Sequence, residues 1–356
     1  MSVLSFKYRV KSGSRALTRH AISCNAVWNF CVATQRESER RWKGDRRTKW
    51  LTAFDLIKLT TGCAADLGLH SDTVGQICRQ FVKSRDLHRK CPGFRASFGP
   101  KRGLGWLPFI PRAARIDGDC AIYLKRRYSF WKSREIGGDY KAGCFVQDAR
   151  GRWYVVFQCE VANDLPVGNG RVGIDLGLKE LATLSNGDKV PALQHYRKHE
   201  AKLAKAQRAG NKTRVRAIHA KIANQRRHHL HEQSTRIVCE NSLIVVGNVN
   251  AAALKKTRMA KSVSDAGWSE FRHMLRYKAR RHGAVFIEAD ERFSSQTCST
   301  CGALPSSRPR GIAGLAVRRW ECSDCGAAHD RDVNAALNIL RVGLELQPPV
   351  GEIAVH

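Results

Sequence analysis

A chain of 356 residues with 43% apolar composition is long enough to bury the cores of two or three domains. Its 62 Lys+Arg against 31 Asp+Glu give a formal charge of +31, far beyond what solubility requires, so a polyanion is the expected partner. The start, MSVLSFKYRV, has no apolar segment of signal-peptide length, and no run of roughly 18 apolar residues occurs anywhere, which sets secretion and membrane spanning aside.

Residues 1–165 read as one mixed domain: an opening strand, SVLSFKYRV, a helical insert from about 14 to 100, and then strands. In HAISCNAVWNFCVATQRESERRW, Ile22, Ala26, Phe30 and Ala33 recur at helical spacing as the expected buried face, with Arg36, Arg40 and Arg41 toward its end. SDTVGQICRQFVKSRDLHRK reads as a second basic helix. From Pro92 the texture turns to Gly, Pro and aromatic residues, with strand patterns in AIYLKRRYSFW and GRWYVVFQCEV. Strands on both sides of a helical insertion predict a small β-barrel interrupted by a helical lobe. Interleaved Arg, Lys and aromatic residues can track a phosphate backbone and stack bases. An aromatic core with a solvated basic exterior explains any single residue equally well, and it is the summed charge that favours nucleic acid.

After a linker at Val167 to Gly170, RVGIDLGLKELATLSNGDKV predicts a strand bearing Asp175, a second strand, a turn at Asn186-Gly187 and a third strand. A long helical stretch broken near Gly210 follows, with Leu203, Ile218, Ile222 and Leu230 as a thin apolar stripe. Arg197, Lys198, Lys202, Lys205, Arg208, Lys212, Arg214, Arg216, Lys221, Arg226 and Arg227 crowd it, while Glu200 is the one acid before Glu232, so a phosphate-facing hairpin is expected. SLIVVGNVNAAAL then reads as a buried strand, as does the start of GAVFIEADERFSSQTC. The tail from Gln347 to His356 contains proline and reads as mobile.

Cys298-x2-Cys301 and Cys322-x2-Cys325, with 20 residues between the pairs, have the spacing of a four-thiolate zinc ribbon at about 294–328. Each pair hooks two thiolates onto one side of a tetrahedral ion, and the spacer is expected to be the hairpin that joins them. Four thiolates close the shell, so this zinc is structural. A redox role for the pairs is the weaker alternative. The nine other cysteines, from Cys24 to Cys239, lack framework spacing and read as reduced thiols.

Neither Asp175 nor Asp332, which opens a helix in HDRDVNAALNIL, is diagnostic alone. Their order is informative: an acid on a first strand, a three-strand meander, helices, an inner strand, then an acid opening a late helix. That is the layout of an RNase H-like nuclease, in which carboxylates from separate elements hold two divalent metals for in-line attack on a phosphodiester.

The segments GIDLGLK, IVVGNVN, SVSDAGWSEFRHMLRYKA, SSQTCSTCG, WECSDCG and DRDVNAALNIL, in this order, resemble the RuvC and zinc-ribbon half of the TnpB family. These are transposon-encoded RNA-guided nucleases related to type V CRISPR effectors. The resemblance is dense over residues 173–343 and loose before that, through VWNF near Asn29 and CPGFR near Phe94. It implies an α+β multidomain fold: a wedge-like N-terminal β-barrel with a helical recognition insert over 1–165, then a RuvC-like α/β domain with the zinc ribbon inserted over 166–356. It further implies a guide RNA from the transposon end, a double-stranded DNA target with a short adjacent motif, two catalytic Mg2+ and one structural Zn2+. The place of action would be the prokaryotic cytoplasm, at the nucleoid.

One departure stands out. Family members usually end the strand matching Ile244 to Val246 with a catalytic glutamate, where this chain has Gly247. The neutral amide of Asn248 does not replace a carboxylate for a hard cation. Glu291 occupies a place where the family more often has proline, ahead of the serine pair that leads to the ribbon, and eukaryotic Fanzor relatives resemble this arrangement. The expected triad is therefore Asp175, Glu291 and Asp332, with Gly247 leaving room for the longer side chain to cross over it. Glu288 is the less favoured donor, since strand parity can point it away. A nuclease-dead, RNA-guided DNA-binding repressor stays open as the alternative. A DNA transposase has little support, because no histidine pair with a tyrosine nucleophile stands in a suitable context.

Overall fold

The computed structural model describes residues 1–41, 50–249, 254, 260–310, 314 and 316–346, so the Gln347 to His356 tail lies outside the described residues. The chain divides into a unit of Val3–Val161 and a unit from Ala162 onward. Among the described residues no helix is long and apolar enough to cross a membrane.

Among its described residues, the first unit combines α1 (Ser14–Arg41), α2 (Ala53–Leu59), α3 (Cys63–Asp66) and α4 (Ser71–His88) with seven strands. These are β1 (Ser2–Arg9), β2 (Trp106–Phe109), β3 (Ala114–Asp117), β4 (Cys120–Tyr123), β5 (Arg126–Ser129), β6 (Asp139–Gln147) and β7 (Trp153–Val161). They form one sheet in the order β1-β7-β6-β2 and another in the order β3-β4-β5, with a Val10–Phe130 bridge between them. Alternation along β7 turns Trp153, Val155, Phe157 and Cys159 inward, where Phe157 meets the rings of Tyr8, Phe109 and Phe130.

Two sequence expectations change here. The buried face of α1 is Ala21, Cys24, Val27, Trp28, Cys31 and Val32, whereas Ala26, Phe30 and Ala33 face solvent and Ile22 is half-buried. Cysteine and tryptophan supply the buried row, and the more conspicuous Phe30 lies 43% exposed beside it. AIYLKRRYSFW is a hairpin rather than one strand. Leu124 and Lys125 take left-handed φ values of 47° and 62°, the two-residue turn whose twist matches its flanking strands β4 and β5.

The second unit centres on a five-stranded sheet of β8 (Gly170–Leu176), β9 (Glu180–Leu184), β10 (Lys189–Pro191), β11 (Asn241–Gly247) and β12 (Val285–Ala289), in the order β10-β9-β8-β11-β12. β8, β11 and β12 are mutually parallel, and β9 runs against β8 and β10. The helices are α5 (His195–Arg208), α6 (Lys212–Glu240), α7 (Ala260–Ala266), α8 (Trp268–Arg281) and α9 (Arg331–Glu345), and β13 (Arg319–Glu321) pairs with β14 (Ala328–Asp330).

Near-continuous apolar strands reflect burial on both faces. Val172, Ile174, Ile244 and Val246 join a core with Leu230 and Ile237 of α6 and Phe271 and Leu275 of α8. Leu243, Val245 and Ala289 pack on the opposite face against Ile339 of α9. Each such aliphatic side chain contributes about 1.5–3 kcal/mol when fully buried. Gly173 is what lets α9 lie this close to β8, since a Cβ there would stand 2.1 Å from the Ala336 carbonyl oxygen. The carboxyl ends of the parallel strands therefore open beside the start of α9, where open α/β sheets commonly bind ligands.

Candidate carboxylate centre and thiolate cluster

Strand register decides which acids can meet. β11 aligns with β8 through Val245–Gly173 and Val246–Ile174, and with β12 through Val246–Glu288 and Gly247–Ala289. Side chains alternate, so Asp175, Gly247 and Ala289 share the face toward α9, while Glu288 shares the opposite face with Val246 and Ile174. Glu288 is exposed there and paired with Arg276 of α8. Parity thus removes Glu288 from the Asp175 face.

Glu291, just past the end of β12, turns back over the sheet. A Cβ added at Gly247 would lie 2.8 Å from Glu291 Oε2 and 3.4 Å from Glu291 Cβ, with Ile339 Cδ1 at 3.2 Å. The Glu291 carboxylate thus occupies the space in which a side chain at position 247 would begin. The segment is tied down locally: the Asn248 N–H donates to the Ala289 carbonyl at 3.0 Å, and the Glu291 N–H makes a long contact of 3.5 Å to Asn248 Oδ1.

Asp332 reaches the same region from the first turn of α9. Asp330 caps that helix by accepting the N–H groups of Asp332 and Val333, and it pairs with Lys189 at 2.8 Å. Arg318, just before β13, lies 3.1 Å from Asp332 Oδ2. Burial, reinforced by the charges of Asp332 and Glu291 and opposed by Arg331, pushes the Asp175 carboxyl up to about 7. Glu291 is likewise raised, first by burial and then by Asp290, against the opposing Arg272. Acids from β8, the segment after β12 and α9 therefore share one electrostatic field, and such mutual repulsion is relieved by a bound cation.

Among the described residues, the group of possible metal ligands whose atoms all lie within 4.8 Å of one another is Cys298, Cys301, Cys322 and Cys325. The carboxylates are set wider. Sγ separations of 3.7 Å for Cys298–Cys325 and 3.8 Å for Cys301–Cys322 match thiolates placed tetrahedrally about zinc at roughly 2.3 Å. The two pairs form matching knuckles, in which the Cys298 N–H donates to the Ala303 carbonyl and the Cys322 N–H to the Ala327 carbonyl, each at 2.9 Å. Burial raises the Cys298 thiol, but N–H groups of Cys301 and Thr300 together with His329 outweigh it and draw it down to about 6. His329 Nε2 lies 3.1 Å from Cys298 Sγ, and its ring packs 4.8 Å from Trp320. The hairpin differs from expectation. Among the described residues, strand pairing joins β13 to β14 across the second knuckle, and 311–313 and 315 of the spacer lie outside them.

Sequence reasoning missed an amide clamp beneath this cluster. Asn334 and Asn338, one helical turn apart on α9, are 1% and 3% exposed. Asn334 donates to the Thr297 carbonyl at 2.8 Å and accepts the Ser299 N–H at 2.9 Å. Asn338 donates to the carbonyls of Ser294 and Thr297 at 2.8 and 2.7 Å. The Ser294 N–H in turn donates to the Glu291 carbonyl at 3.0 Å. One pair of amides thus fixes the first knuckle, the Glu291 segment and the helix bearing Asp332 to one another. The spacing of the asparagines in DRDVNAALNIL was the available signal. Arg318 and His329 also escape a reading by motif.

In the basic hairpin, Lys198, Lys202, Lys205, Arg208, Lys212, Arg214, Arg216 and Lys221 project into solvent. The remaining three are partly engaged. Arg197 reaches Ser262 Oγ at 3.4 Å, half-buried Arg226 donates to the Ser264 carbonyl at 3.1 Å, and Arg227 pairs with Glu270 at 2.8 Å.

Two family models match the chain: "Probable transposase" over residues 155–258, and "Cas12f1-like, TNB domain" over 268–339. A Streptomyces pristinaespiralis protein named "Putative RNA-guided DNA endonuclease" is 42% identical over 213 residues, which cover 56% of this chain and 52% of that protein. The chain thus matches about half the length of that relative. An Escherichia coli K12 protein of the same description, InsQ, is 26% identical over 95% of this chain and 92% of its own. Among solved structures, the Cas12f1-sgRNA-target DNA complex contains a chain of similar fold, with a TM-score of 0.57 and 13% identity over 92% of this chain and 82% of that one.

Proposed function

This chain is a member of the TnpB family, and from that premise we propose that it is an RNA-guided DNA endonuclease with one hydrolytic centre formed by Asp175, Glu291 and Asp332. The observation that carries the reading is the Glu291 carboxylate above Gly247: the acid missing from β11 is supplied by the segment that follows β12.

Two magnesium ions suit this donor set. The three acids are hard oxygen donors, burial and then their mutual repulsion lift Asp175, and their spread exceeds that of the four thiolates. When bound, the metals would supply Lewis-acid polarisation of the scissile phosphate and a lowered pKa for the attacking water. The chain's own residues fix the geometry. Asp175 stands on a rigid strand end, Asp332 is oriented by the capped turn of α9, and Glu291 is held by the segment that the asparagines clamp. Arg318, beside Asp332, adds a cation that can turn toward a phosphate. Cys298, Cys301, Cys322 and Cys325 would hold a structural zinc that braces this corner.

The sheet order of the second unit supports a RuvC-like domain. In the first unit, two sheets joined through Val10–Phe130 and interrupted by α1 to α4 support the wedge-like barrel with its recognition lobe. The relatives are named RNA-guided endonucleases, and the solved Cas12f1 complex contains guide RNA and target DNA. On that basis this chain binds a guide RNA from the transposon end and a duplex with a short adjacent motif. Base pairing supplies the sequence specificity, and exposed cations of the α5–α6 hairpin contact phosphates.

The test is magnesium-dependent cleavage of a target plasmid by the protein with its native RNA, beside Glu291→Ala and Glu288→Ala. Cleavage lost in Glu291→Ala and kept in Glu288→Ala is the expected result. Guided binding without cleavage by the unmodified complex would replace this reading with repression by occupancy.

A further inference from the structure

A cavity of about 770 Å³ lies in the second unit, walled by the turn after β8, the chain after β10, the start of α5, α6 and α7. Its size falls within the range of about 300–1,000 Å³ common to small-molecule sites. β10 is antiparallel to β9 and β9 to β8, so β10 and β8 end at the same edge of the sheet. The cavity thus sits at the sheet end that carries Asp175, but on the layer of α6 rather than that of α9.

Its floor is apolar, formed by the buried Leu181 and Leu230. Three polar atoms in its lining residues are shut off from solvent without a hydrogen-bond partner: His195 Nε2, Arg226 Nε and Asp265 Oδ1. The side chains of Arg226 and Asp265 are nonetheless held in place. Asp265 Oδ2 accepts the Tyr196 N–H at 2.9 Å, and Arg226 Nη1 donates to the Ser264 carbonyl at 3.1 Å. Buried polar groups without partners are unfavourable, and three gathered around one cavity are the pattern of a site completed by a guest once the side chains turn about their anchored atoms. At the mouth stand the exposed Arg197 and Lys261, the latter shared with Glu200 at 3.2 Å.

An apolar floor, an acceptor beside donors, and cations at the entrance match the parts of a nucleotide: a flat face, an edge with adjacent donor and acceptor, and a phosphate. We propose that this cavity receives one unpaired nucleotide of the nucleic acid engaged at the carboxylate centre, with its base inside and its phosphate at Arg197 and Lys261. The nuclease reading identifies the strand as the source, whereas nucleotide recognition itself rests on the cavity. Asp265 accepts from a base N–H, and Arg226 and His195 answer its acceptors.

The test is equilibrium dialysis of the full chain against ribo- and deoxyribonucleoside monophosphates of all four bases. It would be run on the unmodified protein, on Asp265→Asn, which keeps an oxygen for the Tyr196 N–H, and on Ala192→Phe, which fills the cavity. Thermal melting checks that each variant folds, and His195→Ala replaces either one that does not. The expected result is sub-millimolar binding of at least one monophosphate, weakened at least tenfold in both variants. A preference for the deoxy series, or none between the two, fits the DNA strand engaged at the carboxylate centre, whereas a strict ribo preference would overturn that assignment. Absence of binding to the unmodified protein, or affinity kept within threefold in either variant, would overturn the proposal. Because dialysis needs neither guide nor cleavage, failure here leaves the nuclease reading standing, and failure of cleavage leaves this result intact.

Discussion

Gly247 and Glu291 compete for one volume, and that competition can be tested by exchange. Gly247→Glu in the native background places its Cβ 2.8 Å from Glu291 Oε2, so cleavage should fall sharply while the fold survives. Adding Glu291→Ala to that variant should recover activity, because the acid then rises from β11 into the vacated space. Initial cleavage rates of the single and double variants would check both expectations, and a double variant no better than Glu291→Ala alone would contradict them. Asp175 offers a second handle. Its folded-state pKa of about 7 lies above the ordinary value of 3.8, so the metal-free native state binds more protons than the unfolded chain between these values. Its contribution to stability must therefore decline as pH rises through that window. Melting of metal-free protein from pH 4 to 7 should show that decline, flattened in Asp175→Asn. Magnesium should stabilise the native protein increasingly over the same range, since it favours the ionised carboxylates.

At the scale of elements, α9 and the ribbon behave as one piece through Asn334 and Asn338. Asn338→Ala takes away one of the two amide donors that the Ser294 and Thr297 carbonyls share, Asn334 keeping the other, a loss of about 0.5–1.5 kcal/mol. Because it loosens the segment that holds Glu291, cleavage should fall by roughly tenfold or more, given how steeply rates depend on placement. Guided binding should be nearly unchanged, which a binding assay run beside the cleavage assay would reveal. Treating the protein with a zinc chelator should have the same signature, with the metal released measured alongside. These couplings also mark how far the sequence could be read. The cysteine pairs announce themselves by local spacing, whereas Asp175 and Asp332 stand out only through the order of elements that carry them. Glu291 required knowing which strands are neighbours, and Glu288 is excluded by register, which a sequence alone does not display. The spacing of Asn334 and Asn338 puts them on one face of a helix, but their partners at Ser294, Thr297 and Ser299, like the Arg318 pair, are contacts between separate segments that no local pattern displays. The buried face of α1 is hard to read because its cysteines and tryptophan form a row less obvious than the exposed Phe30.

Over the whole molecule, the charge of +31 should make nucleic-acid binding steeply dependent on salt. Replacing Lys202, Lys205 and Arg208 by alanine should lower the slope of log affinity against log salt by roughly 0.7–0.9 for each phosphate that these side chains neutralise, leaving target preference unaltered. Titrations at several salt concentrations would measure it, and an unchanged slope would mean these cations simply face water. A different consequence follows from the shared volume above β11. A Cβ at 247 would stand 2.8 Å from Glu291 Oε2, so a chain carrying glutamates at both positions would have to turn one of them out of that space. A glycine at this position is therefore no sign by itself of a lost site, because a charge can enter the same space from a neighbouring segment.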